Sequence, residues 1–233
     1  KNTRLGNDIG GARWRVKDFE CNGVKALAGQ IRLNPRLRDS KRGAMKFSLQ
    51  MHSLRSPTEW IDMARKAEEC GFAEFHIAER LDFPYPTWPS LFMMAEHTTR
   101  IGLGTGVTNP YSRHPAVTAK MIAMLDAYSH GRAVLGIGQG DLWQFDQLGI
   151  AHQRPLVALR EAVQVIRYFL AGRDDGFTGE VFSIQPGVGF QWKPTQQLLA
   201  KGVEGGDAWT VFVFQQGFIG VAHLFSPGCV GGQ

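Results

Sequence analysis

Cysteine is scarce in this chain: Cys21, Cys70 and Cys229 are its only three, odd in number and far apart. Such a set predicts neither a disulfide framework nor a thiolate metal centre, and points to a reducing, cytoplasmic setting. No H-E-x-x-H pair or Cys/His cluster occurs; His76, His97, His130, His152 and His223 are scattered, so no metal site is expected. No run of eighteen apolar residues is present, which excludes a predicted membrane-spanning helix. No apolar stretch follows the basic start, so no secretory signal is read. Neither G-x-G-x-x-G opening a helix nor P-loop spacing appears, which removes the two common phosphate-cradling motifs.

Charge is unevenly spread. The net +5 divides into +7 over residues 1–44 and −2 over the remainder, so the basic character belongs to a leader. A basic arm suits nucleic acid or anionic lipid. This one lacks helical phasing and aromatic interleaving, and is read as an extension outside the fold, with no nucleic-acid or membrane partner. Met45 reads as a natural start. From Thr195 onward only Lys201, Glu204 and Asp207 carry charge. Glycines and apolar runs dominate there, as in a buried strand or a misread or truncated frame. The chain thus divides into a leader (1–44), a regular body (45–194) and a divergent tail (195–233).

The body is periodic. Strand-like runs begin near Lys46, Ala73, Ile101 and Ala133, each followed by an amphipathic stretch. Ser56-Pro57-Thr58-Glu59 is a capping box with proline at the first helical position, and its helix is expected to stop at Gly71. Pro115 opens a second helix with Met121, Ile122, Leu125 and Tyr128 on one side, ending near Gly131. Pro155 opens a third with an apolar stripe of Leu156, Leu159, Val163, Ile166 and Leu170, ending at Gly172. Apolar strands alternating with helices imply an α/β fold with a parallel sheet and right-handed crossovers. Spacing alone fits a doubly wound sheet or a barrel.

In both architectures sites form at the C-terminal ends of the strands. Those ends read Gln50-Met51-His52, Ile77 to Asp82, Gly104 to Pro110 and Gly136 to Asp141. The last two each contain G-x-G-x-G. Paired at adjacent strand ends, they suggest that something flat approaches the backbone; alone, each would signify only a tight turn. Asp141 is a candidate acid or base if burial raises its carboxyl, or else a helix cap. Glu79 is a second candidate, against a surface ion pair with Arg80. Arg113-His114, before Pro115, suits an anionic group at a helix N-terminus, or a solvated loop.

These same residues resemble the bacterial-luciferase-like superfamily, and within it the deazaflavin-dependent reductases typified by methylenetetrahydromethanopterin reductase. The stretches that carry the resemblance are Gly104-Thr-Gly-Val-Thr-Asn-Pro-Tyr-Ser-Arg-His-Pro115, Leu125-Asp126 with Gly131 to Gly138 and Gly140-Asp141, and Leu148 to Ile150 with Arg154-Pro155, Leu159 to Ala162 and Phe177 to Phe182. Together they cover about 45–194. The resemblance implies an eight-stranded (β/α) TIM barrel of which four to five units are present. It also implies coenzyme F420 across the strand ends, FMN being the alternative, and hydride transfer to or from a carbon centre of a small molecule. A non-prolyl cis peptide would map to Gly106-Val107. Cofactor-binding positions would be Gly106, Val107, Thr108, Asn109, Gly138, Gln139 and Gly140, with Asp141 and Glu79 catalytic. Where the family often has Asp-His, this chain has Glu79-Arg80, and arginine cannot act as a neutral base. Two alternatives stand beside the F420 reductase: an FMN-dependent monooxygenase, and an inactive half-barrel or interaction protein. An open half-barrel is expected to dimerise, covering inner faces assigned to Phe47, Leu49, Phe75, Ile77, Leu103, Leu135 and Ile137 or their neighbours.

Overall fold

The computed structural model describes residues 48–51 and 56–191. The expectations for the leader, Met45, Phe47, His52 and the tail lie outside the described residues.

Four strands alternate with helices: β1 (Ser48–Met51), α1 (Pro57–Glu69), β2 (Glu74–Ile77), α2 (Thr87–Glu96), β3 (Gly102–Thr108), α3 (Pro115–Tyr128) and β4 (Ala133–Ile137). A short α4 (Leu142–Gln147), α5 (Pro155–Leu170) and a two-stranded hairpin, β5 (Phe177–Thr178) with β6 (Ser183–Ile184), complete the described part. The expected caps hold. Ser56 Oγ accepts from the Glu59 N–H at the start of α1. Gly71, Gly131 and Gly172 follow the three predicted helices at positive φ, where a side chain would be strained.

All pairs within the four-stranded sheet are parallel and the order is β1-β2-β3-β4. This order decides between the two architectures that spacing left open. A doubly wound sheet reverses direction at a switch point. Steady right-handed progression instead places every crossover helix on one side, as in a (β/α) barrel. Helices α1, α2, α3 and α5 accordingly pack neighbour on neighbour.

Paired residues in the register share a face. Leu49, Phe75 and Leu103 form one row, and Met51, Ile77, Thr105 and Leu135 the next. Phe75 meets the Trp60 ring edge-on, and Phe75, Ile77, Leu103, Leu135 and Ile137 join one core with buried residues of the helices. Of the two alternatives for the barrel's inner face, these residues or their neighbours, the neighbours hold it: these residues face the helices. The alternate row, Ser48, Gln50, Glu74, His76, Gly102 and Gly104, forms the inner face. It is polar, with Ser48 Oγ and His76 Nε2 both bonded to Glu74 Oε2, at 3.1 and 2.9 Å.

The helical stripes need smaller corrections. Tyr128 and Leu156 are exposed, and the buried face of α3 runs instead through Thr118, Ala119, Ile122, Leu125 and Asp126. Cys70, at the end of α1, is buried; the other two cysteines lie outside the described residues. Among the described residues no helix is long and apolar enough to cross a membrane.

Two further carboxylates secure loops through backbone N–H groups. Glu68 of α1 accepts from the N–H groups of Thr99, Arg100 and Ile101 before β3, while Arg132 donates to carbonyls of Ala95, Thr98 and Ile101 in the same turn. Glu161 of α5 accepts from the N–H groups of Glu180, Val181 and Phe182, tying the hairpin down. A Cβ at Gly179 would lie 2.4 Å from Glu161 Oε2, so glycine there makes room for the carboxylate.

Candidate functional site

The C-terminal ends of β2, β3 and β4 gather the candidate carboxylates into two ion-paired groups. Glu79, just past β2, accepts a short hydrogen bond from Thr108 Oγ1 at the end of β3. Its other oxygen accepts from Arg113 Nη1 at 2.6 Å. The Glu79 side chain is only 9% exposed, so desolvation strengthens the pair relative to one on the surface. The Arg113 guanidinium also stacks over the Trp88 ring, 5.8 Å from its centroid. The expected partner of Glu79 was Arg80 on the surface; the structure supplies Arg113, largely buried.

Arg80 turns to the second group. Its Nε and Nη2 grip Asp82 at 2.9 Å each, and Nη1 reaches Asp141 Oδ2 at 2.8 Å. Hydrogen bonding to Asp82, partly offset by burial and aided by the charges of Asp82 and Asp141, raises the guanidinium above its ordinary value. The same bond lowers Asp82 to about 2. Asp141 precedes α4, and its Oδ1 accepts from the Gln144 N–H at 3.4 Å. The capping role is thus present, joined to a salt bridge that sequence reasoning did not find. The signal for it was the very departure noted there, arginine at position 80.

At the third strand the Gly106–Val107 peptide is cis, and the register with β4 shifts between Thr105 and Thr108. Several glycines and polar residues here answer to protein atoms. A Cβ at Gly104 would come within 2.0 Å of the Val134 carbonyl oxygen, and one at Gly136 within 2.3 Å of that of Thr105; the two strands approach too closely for side chains. Gly140 has φ +83°, and a Cβ there would meet the Phe145 ring at 2.6 Å. At Gly106 the obstacle is His76 Cβ at 2.7 Å. Asn109 Oδ1 accepts from the Tyr111 and Ser112 N–H groups, shaping the turn that presents Arg113. Val107 lines the same bulge, its carbonyl bonded to the Glu79 N–H. Gly138 N–H donates to the Thr108 carbonyl, and Gln139 is half-buried beside it.

His114 caps α3: its Nδ1 accepts from the Ala116 N–H at 3.2 Å, and burial holds its pKa below the ordinary 6.5. Arg113 and His114 therefore both serve protein partners. Tyr111, Phe145 and His152 form an aromatic group next to the β4 end, where burial raises the Tyr111 phenol.

The polar equipment at these ends is neutral or internally paired. Among the described residues no three His, Cys, Asp or Glu side chains cluster as a metal site. The buried Ser112 Oγ, in the loop after β3, has no hydrogen-bond partner. Gln139, half-buried, and the backbone at 138–140 lie at the adjacent end of β4.

Comparison with known proteins bears on the family of the chain. Residues 41–202 match the family described as luciferase-like monooxygenase. A 5,10-methylenetetrahydromethanopterin reductase of Archaeoglobus fulgidus is 35% identical over 161 residues, covering 69% of this chain and 48% of that protein. Its counterpart in Methanolobus tindarius is 40% identical over 118 residues, covering 51% and 36%. The solved coenzyme F420 dependent tetrahydromethanopterin reductase of Methanopyrus kandleri superposes with TM-score 0.59 at 30% identity, covering 64% of this chain and 46% of that one. The chain thus spans about half the length, or less, of the relatives it matches. Over that part it is homologous to the reductases, and it belongs to the luciferase-like monooxygenase family.

Proposed function

We propose that the chain carries the first four βα units of an F420-dependent oxidoreductase that moves a hydride between the cofactor and a carbon centre of a small molecule. The observation that supports this best is its homology to proteins named as 5,10-methylenetetrahydromethanopterin reductases. When bound, the deazaflavin supplies the hydride-carrying carbon; the protein supplies orientation and exclusion of water.

In this reading the bulge at Gly106, Val107 and Thr108 forms one wall of the cofactor seat. The backbone at Gly138 and Gly140, with the Gln139 amide, forms another. Asn109 shapes the loop that closes over them. Asp141 serves as a polar anchor at the edge of the seat, since its Arg80 partner and its capping bond fix it in place. Glu79 fixes Thr108 relative to Arg113, and a proton-handling role for either carboxylate requires release from its arginine. The reading extends to a cytoplasmic protein that associates with a second copy.

Anaerobic titration of the whole chain with F420 and, separately, with FMN tests it. Quenching of deazaflavin fluorescence at micromolar concentrations, with FMN binding much weaker, is the expected result. Preference for FMN assigns the site to the monooxygenase branch, and binding of neither sinks the cofactor reading.

A further inference from the structure

The inner face of the sheet holds a contact that the site described so far does not use. Gln50, the third residue of β1, donates through Nε2 to the Gly106 carbonyl oxygen at 2.5 Å. That carbonyl opens the bulge where β3 loses register with β4. The next carbonyl, of Val107, accepts from the Glu79 N–H at 3.0 Å, and that of Thr108 accepts from the Gly138 N–H at 2.9 Å. Three successive carbonyls are therefore held by three different segments: β1, the end of β2 and the end of β4. Backbone N–H groups hold two of them, and any sequence supplies those. The first is held by a side chain, so it depends on the residue type at position 50.

Its surroundings leave that amide little freedom. A Cβ built on Gly106 would lie 3.4 Å from Gln50 Cδ as well as 2.7 Å from His76 Cβ. Gln50 and His76 thus close the bulge from the inner face, directly behind the peptide. An ionised carboxylate or an apolar side chain at position 50 would leave the carbonyl without its donor.

We propose that Gln50 is a positioning residue: its amide sets the orientation of the Gly106 carbonyl and, through it, the wall of the bulge on which the cofactor ring rests. This assignment rests on the F420 reading of the site. It names a residue on β1, a strand otherwise outside the cofactor seat, and it acts through the bulge with no contact of its own to the reacting atoms.

The test uses the whole chain and fluorescence titration with F420, at about pH 8 and about pH 5, against wild type at each pH. Gln50→Glu presents a repelling carboxylate oxygen when ionised and a donating O–H when protonated. Its affinity is expected to fall about tenfold or more at the higher pH and to recover a measurable part of that loss at the lower, where the carboxyl begins to take up its proton. Gln50→Met, which never donates, should lose a similar amount at both. The titratable neighbours on this face, Glu74 and His76 of β2, are common to wild type and Gln50→Met, so their own titration is subtracted. Wild-type binding with unchanged affinity in Gln50→Glu overturns the role of Gln50 and leaves the F420 reading standing. Failure of wild type to bind overturns that reading, and the assignment falls with it. Loss of the far-ultraviolet circular dichroism signal in both variants would make Gln50 a determinant of the fold, which also overturns the proposal.

Discussion

Glu68 and Glu161 accept from runs of successive backbone N–H groups, whereas Glu79 and Asp141 answer arginines at the strand ends. The difference makes separate predictions. For Glu161, burial works against the charged form, but the N–H groups of Glu180, Val181 and Phe182 outweigh it and hold the pKa below the ordinary 4.5. Its folded value lies below its unfolded one, so its contribution is complete above the unfolded value and is lost as pH falls through the folded one. Gln keeps one acceptor but turns an NH2 toward backbone donors, so Glu161→Gln should cost about 2–3 kcal/mol in urea unfolding near neutral pH. It should also flatten the acid limb of the stability profile; a limb as steep as wild type's would show that Glu161 is not its source. Asp141 separates differently. Asn caps a helix about as well as Asp, while Ala costs about 1 kcal/mol. Asp141→Ala is expected to unfold at lower urea concentration than Asp141→Asn. If Asp141 anchors the cofactor through its charge, both variants should lose F420 affinity alike. The sequence suggested both the cap and the acid at this position; arginine at position 80 was visible as a departure, but which carboxylate it would meet was not, since the bridge joins residues 61 apart through topology alone.

Helices were legible where proline and glycine mark their ends: α1, α3 and α5 begin within a residue of the signals at Ser56, Pro115 and Pro155 and stop two or three residues before Gly71, Gly131 and Gly172. The six-residue α4 was not; it is too short to show a period, and its only signal was Asp141, also readable as a catalytic acid. The β5–β6 hairpin was missed for a related reason, because two-residue strands carry no alternation. Its position is set from a distance by Glu161. At the start of α3 the capping atom is an imidazole nitrogen that must be unprotonated to accept. Burial keeps the His114 pKa below its ordinary value, so the native state takes up this proton less readily than the unfolded chain. Stability is therefore fully present above the unfolded value near 6.5 and declines as pH falls below it, levelling once the folded value is passed. His114→Asn keeps a capping oxygen without the titration. Thermal melts between about pH 7.5 and 5 should shift less in this variant than in wild type; an equal shift would locate the pH sensitivity elsewhere.

For the molecule as a whole, sequential strand order and helices on one side give an open segment of a barrel whose edge strands, among the described residues, are β1 and β4. Unpaired edges favour association. Sedimentation of the purified chain should show a dimer or larger species, and hydride transfer by the chain alone should be negligible; a monomer that reduces a substrate with reduced F420 would refute both expectations. The parallel sheet was legible from the interval between strands. Which face each strand turns to the helices was not, because Phe75 and His76 differ by one residue in register and the sequence alone does not say which row faces inward. That assignment carries a thermodynamic consequence. The apolar rows are already buried against the helices, and on the inner face Gln50 and Glu74, which keep partial exposure, are polar. Removal of apolar surface from water lowers the heat capacity, while removal of polar surface raises it. If a second copy covers that face, calorimetry of dimer dissociation at several temperatures should therefore give an enthalpy that varies little with temperature, the signature of a contact that buries polar as well as apolar surface.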